Sequence, residues 1–270
     1  KRSTIQGHRK GREMTTSRQL RILHYLAIYD ELEVNQLSAL LQVSPSTIRR
    51  ELTVMEKSGL LVRTHGAARL PNPISYEAPY EKRAAEHIEE KRKIAAAAMR
   101  LIAPGMEIGI MGGTTCTELA RLLRTMEHIT VVTNALNIPL ELRGNPNKRI
   151  MVTGGILNQN SYELVGSQAS QSLQSIHLAL AFIGVSGISP EFGFSMSDEP
   201  ESVVGRAFMA AADRTVVLAD SSKIGRMTFA RLCPLHEVDL LITDDRITPT
   251  QVEALQAAGL EVMIASGLTE

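Results

Sequence analysis

Between residues 107 and 258 the chain alternates short apolar runs with amphipathic stretches, and this rhythm limits its fold more than any other feature. The runs at 107–111, 129–133, 149–153, Leu178–Gly184, 215–219 and 239–243 are too short and too evenly apolar to be surface helices. Helical patterns lie between most of them, at 117–125, 135–143, 166–175, 199–212 and 250–258. Strand and helix in turn predict a mostly parallel sheet covered by helices, an α/β domain. Such sheets bind ligands in the loops beyond the carboxyl ends of their strands.

Small and hydroxyl residues gather in those loops. Gly112, Gly113, Thr114 and Thr115 follow the first run and lead into a helix. Small residues let backbone N–H groups close on an anion, and hydroxyls at a helix N-terminus favour phosphate. Thr133 and Asn134, Gly154 and Gly155, and Gly184, Ser186 and Gly187 occupy the corresponding places after later runs. Asp220-Ser221-Ser222-Lys223 adds a positive charge at the same rim. Any one of these glycines could simply make a tight turn, but five such loops on one rim mark a candidate site for a small anionic ligand. The Gly-Lys-Ser/Thr of a P-loop is missing, which argues against a nucleoside triphosphate. Asp198, Glu199 and Glu201 are the clustered carboxylates near a site loop, and they read as a solvated acidic turn before a general base. Cys116 lacks an evident His partner and reads as helix packing, while His177 and His236 are isolated. No catalytic residue, metal or cofactor is assigned.

The formal net charge of +0 conceals an asymmetry. Residues 1–70 carry 12 Lys and Arg against 6 Asp and Glu, whereas residues 71–270 carry 17 against 23. The first segment is therefore the one expected to meet a polyanion. Residues 1–12 are polar and basic without apolar period and are expected to be disordered, with Met14 a candidate start. From Ser17, Leu20, Leu23 and Ile28, with Ile22, Leu26 and Ala27 beside them, form a stripe at helical period that residues 30–33 interrupt. Val34–Leu41 reads as a short second helix with Leu37, Leu40 and Leu41 inward. After a tight turn, Ser44 is a helix cap and Pro45 a first helical residue, so a third helix runs over Pro45–Lys57 and stops at Gly59.

At ~100° per residue, Ile48, Leu52 and Met55 share one side of the third helix. Ser46, Arg49, Arg50, Thr53 and Lys57 share the other. Arg, Ser and Thr are residue types that address base edges and phosphates, and Ser44 and Thr47 stand at the anion-favouring N-terminus. Two short helices joined by a tight turn form a helix-turn-helix. Residues 60–70 read as two strands around Gly66, a wing whose Arg63, His65 and Arg69 can touch flanking phosphate. A solvated helix face beside a surface hairpin is the bland alternative, and the order and spacing of the features weigh against it. Aromatics are only 4% and Trp is absent, so a base-stacking platform is not expected.

The expected organisation is a winged helix-turn-helix over 15–70 and an extended linker over 71–80 marked by Pro71, Pro73 and Pro79. An α/β sensing domain follows over 81–270, opening on a long helix at 81–102 that Pro104-Gly105 stops. No apolar run approaches the ~20 residues that cross a bilayer, and the start lacks the apolar core of a secretion signal. Cys116 and Cys233 lack metal-ligand spacing and read as reduced thiols. The expected location is the cytoplasm, with no membrane partner.

The stretches Val43-Ser44-Pro45-Ser46-Thr47-Ile48-Arg49-Arg50-Glu51-Leu52 and Gly59-Leu60-Leu61-Val62-Arg63-Thr64-His65-Gly66-Ala67 closely resemble the DeoR-type repressors of carbohydrate metabolism. Glu51 stands where that family more often has Asp. The resemblance continues through Lys91-Arg92-Lys93-Ile94-Ala95, Gly112-Gly113-Thr114-Thr115, Val132-Thr133-Asn134, Thr153-Gly154-Gly155, Phe182-Ile183-Gly184, Asp220-Ser221-Ser222-Lys223 and Leu241-Ile242-Thr243-Asp244. It implies a sensor half with a ribose-5-phosphate isomerase-like fold and a phosphorylated sugar or polyol as effector. It also implies a double-stranded DNA operator read by the third helix. Paired half-sites then call for a homodimer or tetramer. Met111 occupies the place of a family Asp, so one carboxylate expected at the sugar is missing. The alternative from another class is a sugar-phosphate isomerase or deaminase with an accessory DNA-binding head.

Overall fold

In the computed structural model the chain divides into two units, Lys1–Pro73 and Ile74–Glu270. The structure describes residues 17–29, 31–58, 60–64, 66–69 and 77–266. The basic start with Met14, the Gly59 stop, His65 and the first part of the linker lie outside the described residues, as do the side chains of Ala27 and Ile28.

The first unit runs α1 (Ser17–Tyr29), β1 (Glu31–Glu33), α2 (Val34–Leu41), α3 (Pro45–Lys57), β2 (Val62–Arg63) and β3 (Ala67–Arg69). Helices α2 and α3 have the expected bounds. Gln42 turns the chain between them in the left-handed region at φ 56°, and Ser44 caps α3 by accepting the Thr47 N–H. Ile22, Leu26, Leu37, Ile48, Leu52 and Met55 are fully buried and form the core. Two readings are corrected. Leu20 is 57% exposed, because the face of α1 that meets the core passes through Gln19, Ile22 and Leu26, roughly 100° or more from it. Residues 31–33 are not a mere break: they pair with β3, Leu32 opposite Ala68, giving a three-stranded antiparallel sheet in the order β1-β3-β2.

The second unit opens on two helices, α4 (Tyr80–Ala85) and α5 (Ile88–Met99), where one long helix was expected. His87 breaks the run with φ 52°. The cause lies one turn on, where the buried Lys91 ammonium donates to the carbonyls of Arg83 and Glu86. Those carbonyls end α4, and Lys91 takes the place of the helical N–H groups that a continuous helix would have supplied.

Seven strands follow in one fully parallel sheet. They are β4 (Glu107–Ile110), β5 (Thr130–Thr133), β6 (Arg149–Val152), β9 (Leu178–Gly184), β12 (Ala212–Leu218), β14 (Leu240–Asp244) and β15 (Val262–Ala265). Their order is β15-β14-β12-β9-β4-β5-β6. Helices α6 (Thr114–Leu122), α7 (Asn137–Leu142), α8 (Ser167–Leu173), α9 (Glu199–Ala211) and α10 (Pro249–Ala257) complete the α/β pattern. Strand β9 shows why the sheet is covered on both faces. Leu180 and Phe182 join the core under α5, α6 and α7, while Ala181 and Ile183 join the one under α8, α9 and α10, as a period of two requires. Short strands absent from the sequence reading form a hairpin, β7 (Ile156–Asn158) with β8 (Glu163–Val165), and a small sheet of β10 (Gly187–Ser189), β11 (Gly193–Met196) and β13 (Ala230–Cys233).

Chain order and strand order together locate the candidate ligand site. From β4 the sheet grows in one direction through β5 and β6; the chain then returns to the other side of β4 with β9 and grows the opposite way. Beyond the carboxyl ends of β4 and β9 the connections diverge, which opens a crevice.

Candidate functional site

Helix α3 presents the first candidate surface. The hydroxyls of Ser44, Ser46 and Thr47 cluster at its N-terminus, with Ser44 Oγ 2.9 Å from both neighbours. Arg49, Arg50 and Lys57 are exposed along its front, and Arg69 is exposed on β3. Thr53 is differently occupied: its hydroxyl donates to the Arg49 carbonyl at 2.8 Å and accepts from Arg63 at 3.4 Å. Thr53 therefore steadies the wing arginine against the helix. Glu51 faces the other way, toward α1, where it meets Arg18 at 3.2 Å and Gln19 at 3.0 Å. Its departure from the family residue falls on a contact between helices and leaves the outward face unchanged.

The crevice of the second unit is a narrow cleft of about 40 Å³ lined by Gly112, Gly113, Thr114, Thr115, Gly184, Ser186 and Lys223 among others. Each was expected there. Gly113 caps α6 at φ 116°, a conformation that side chains rarely adopt. A Cβ on Gly184 would come 3.0 Å from the Gly112 carbonyl, so the two loops pass backbone against backbone.

Five expected residues do not line the cleft. Thr133 is buried and accepts the Ala135 N–H at 3.1 Å. Asn134 stands behind the site, accepting the Gly112 N–H at 3.2 Å and donating to Glu163 at 3.0 Å. Gly154 is absent from the lining, and Gly155 packs on the backbone of Val165. Gly187 is wedged against the Arg226 carbonyl and Ser195. The loops after β5 and β6 lie on the far side of β4 from the switch, and β10 carries Gly187 away into the small sheet.

The cleft gains four charged residues from elsewhere: Glu77, Arg83, Glu163 and Glu201. Glu77 and Arg83 form a 3.0 Å ion pair. Arg83 also donates to the Ala78 carbonyl at 2.9 Å, and its buried Nη2 has no hydrogen-bond partner among the described residues. Glu163 lies over Gly112 so closely that a Cβ there would fall inside its carboxyl group. Met111 is buried, and its N–H extends the sheet to the Phe182 carbonyl. Glu201 is 3% exposed and so not part of a solvated acidic turn. It accepts from Ser161 at 2.7 Å and from Asn158 at 3.0 Å.

Burial and the nearby Glu201 hold the Glu163 carboxyl well above the ordinary range. Burial and Glu77 push Glu201 up to about 7, against the hydrogen bond from Ser161. Lys223 is held below the usual lysine range by burial, and Glu77 and Asp220 pull it partly back. Cys116 and Cys233 are free and buried, with burial raising both thiols. Among the described residues no His, Cys, Asp and Glu group could hold a metal, and no helix is long and apolar enough to cross a membrane.

A family model described as the DeoR C terminal sensor domain matches residues 86–245, and one described as the DeoR-like helix-turn-helix domain matches residues 18–73. The chain is 34% identical over 248 residues to the HTH-type transcriptional regulator GolR of Listeria innocua, covering 92% of this chain and 98% of that protein. It is also 34% identical over 243 residues to the HTH-type transcriptional repressor GlcR of Bacillus subtilis, covering 90% and 93%. Among solved structures, a ribose 5-phosphate isomerase A from Methanocaldococcus jannaschii is similar over 52% of this chain and 55% of its own, at 17% identity and a TM-score of 0.38.

Proposed function

The chain belongs to the DeoR family of helix-turn-helix transcriptional regulators, and from that premise we propose that it represses genes of carbohydrate use under the control of a phosphorylated sugar or polyol held in the switch-point cleft. Helix α3 reads the operator through Arg49 and Arg50. Ser44, Ser46, Thr47, Lys57, Arg63 and Arg69 supply hydroxyl and cationic contacts to base edges or phosphates, with His65 beside them in sequence. One small head reads too few bases, so the protein acts in the cytoplasm as a dimer or tetramer on paired half-sites. Effector controls it by binding the DNA-competent and incompetent forms with different affinity.

One observation carries the phosphate: an arginine with a buried N–H group that has no partner among the described residues lines the same cleft as a lysine and the N-terminus of α6. Charged donors in such a place suit a phosphate monoester. The sugar hydroxyls then fall to Glu163 and Glu201. Those two carboxyls also give the isomerase reading its one argument, since a group titrating near neutrality suits a general base. Similarity to transcriptional regulators along nearly the whole chain favours regulation, and turnover of purified protein on a sugar-phosphate panel separates the two.

The test is a thermal-shift screen of phosphorylated and unphosphorylated sugars on wild type and Lys223→Ala. A ligand at 100 times its Kd stabilises the native chain by about 2.7 kcal/mol. A phosphorylated sugar should raise the midpoint of wild type and lose most of that effect in the variant. Equal shifts with and without the phosphate would remove phosphate from the reading.

A further inference from the structure

Glu77 fills the corner where an effector's phosphate is expected. Its Oε1 accepts from Ser186 Oγ at 3.0 Å and pairs with Arg83 Nη1 at 3.0 Å. Of the charges acting on Lys223, Glu77 has the largest effect. All four residues line the same cleft. These donors come from three separate places in the chain: α4, the loop after β9 and the loop after β12. An acceptor group that engages such donors together is an anion, and the protein supplies one of its own.

The fit of that carboxylate is incomplete. Arg83 Nη2, beside the occupied Nη1, is buried without a partner among the described residues. A buried guanidinium N–H left unbonded is unfavourable, and Arg engages carboxylates and phosphates best through two parallel bonds. A phosphate monoester has three terminal oxygens and two charges near neutral pH. It can take both Arg83 nitrogens, Ser186 and Lys223, where the carboxylate takes fewer.

The surroundings hold Arg83 in place and leave Glu77 at the start of the unit. Arg83 is fixed through its Nε bond to Ala78, and the end of α4 is held by Lys91. The start of α4 is fixed as well. The Tyr80 N–H donates to the Asn160 carbonyl at 2.9 Å, and the Tyr80 hydroxyl donates to Thr117 at 2.8 Å. Glu77 precedes all of these anchors and lies four residues past Pro73, the last residue of the first unit.

We propose that Glu77 is a built-in stand-in for the effector's phosphate, and that a phosphate monoester binds by displacing it from Arg83, Ser186 and Lys223. The proposal rests on the reading of this cleft as the phosphate site. It adds that occupancy is reported by release of a carboxylate at the boundary with the DNA-binding unit. Exchange of one anion for the other gives the Glu77 side chain two discrete states, which is what a ligand needs if it is to shift a population.

The test is calorimetric titration of the full chain with inorganic phosphate, using wild type, Glu77→Gln, Glu77→Ala, Lys223→Ala and the Glu77→Gln/Lys223→Ala double variant. Removing the competing carboxylate should tighten phosphate binding about tenfold, the equivalent of about 1.4 kcal/mol, in either Glu77 variant. The Ala variant serves if the Gln variant does not fold. Removing Lys223 should weaken binding in both backgrounds. Unchanged or weaker binding in the Glu77 variants, with the Lys223 effect intact, would overturn the stand-in role and leave the phosphate site standing. Phosphate binding that ignores Lys223 in every background, or that is undetectable throughout, would overturn both.

Discussion

Substituting Gly112→Ala puts a single methyl group where Glu163 already lies, and the cost can be worked from the groups around it. The added Cβ would overlap Cγ, Cδ and Oε1 of Glu163, so the carboxyl must leave its place. Overpacking of this kind costs about 1–3 kcal/mol. Displacement also breaks the 3.0 Å bond from Asn134, a fully buried residue whose amide then lacks that acceptor, for about 1–3 kcal/mol more. The expected total is about 2–6 kcal/mol, in the second unit alone. Urea unfolding of the full chain, fitted with one transition per unit because a two-unit chain is not two-state, should show that loss as a lower midpoint. The decisive comparison is the cycle with Glu163→Ala. Glu163→Ala removes the three atoms nearest the new methyl, and Gly112→Ala should then cost less than about 1 kcal/mol. An interaction energy of about 2 kcal/mol is expected, against the ~0.3–0.5 kcal/mol scatter of independent sites. Additive losses would show that Glu163 does not hold the position over Gly112 and that its role in the cleft is misread.

Three further outcomes follow from the two sites. Arg50→Ala should abolish specific operator binding while leaving effector binding intact. A bidentate base contact contributes about 1–3 kcal/mol and a dimer loses it twice; unchanged operator affinity at fixed salt would show that α3 is not the reader. Neutralising Lys57 or Arg69 should weaken binding to all sequences alike and flatten the slope of log affinity against log salt by ~0.9 for each phosphate that is no longer neutralised. A loss confined to one base position would contradict that assignment. The folded chain raises Glu201 from 4.5 to about 7, so between those values it holds a proton that the unfolded chain has released. Stability from this group is complete below about pH 4.5 and is lost as pH rises toward 7. Glu201→Gln should flatten that decline in the thermal midpoint, and an identical pH profile for both proteins would refute it.

Much of the fold was legible because its signals are local. The Ser44-Pro45 pair starts α3 and the 3.6-residue period carries it to Lys57, information contained within a few turns of chain. Strand β9 is recognisable in the same way, as an apolar run with residues bound for both faces of a sheet. The loop Gly112-Gly113-Thr114-Thr115 also announced itself, because a helix N-terminus that receives an anion needs small and hydroxyl residues in immediate succession. Seven of the residues read from such loops do meet in the cleft.

The rest depended on distance in sequence. Nothing around Glu201 marks it as buried; its partners are Ser161 and Asn158, 40 and 43 residues earlier. The break between α4 and α5 comes from a lysine side chain whose helical pattern is unremarkable. Glu77 sits where proline spacing indicates a linker and Arg83 in the first turn of the expected long helix, and they enter the cleft because α4 packs beside α6. Thr133, Gly154 and Gly155 carry the same local signal as Gly112 yet lie elsewhere, because β5 and β6 fall on the side of β4 away from the switch. Residue type and spacing by themselves determined the helix-turn-helix, the parallel α/β class and which loops carry small and hydroxyl residues, since each is read from short segments. Strand order, side-chain burial and therefore the charge of the site were decided only by the tertiary structure, because desolvation and pairing depend on groups that the chain brings together from dozens of residues apart.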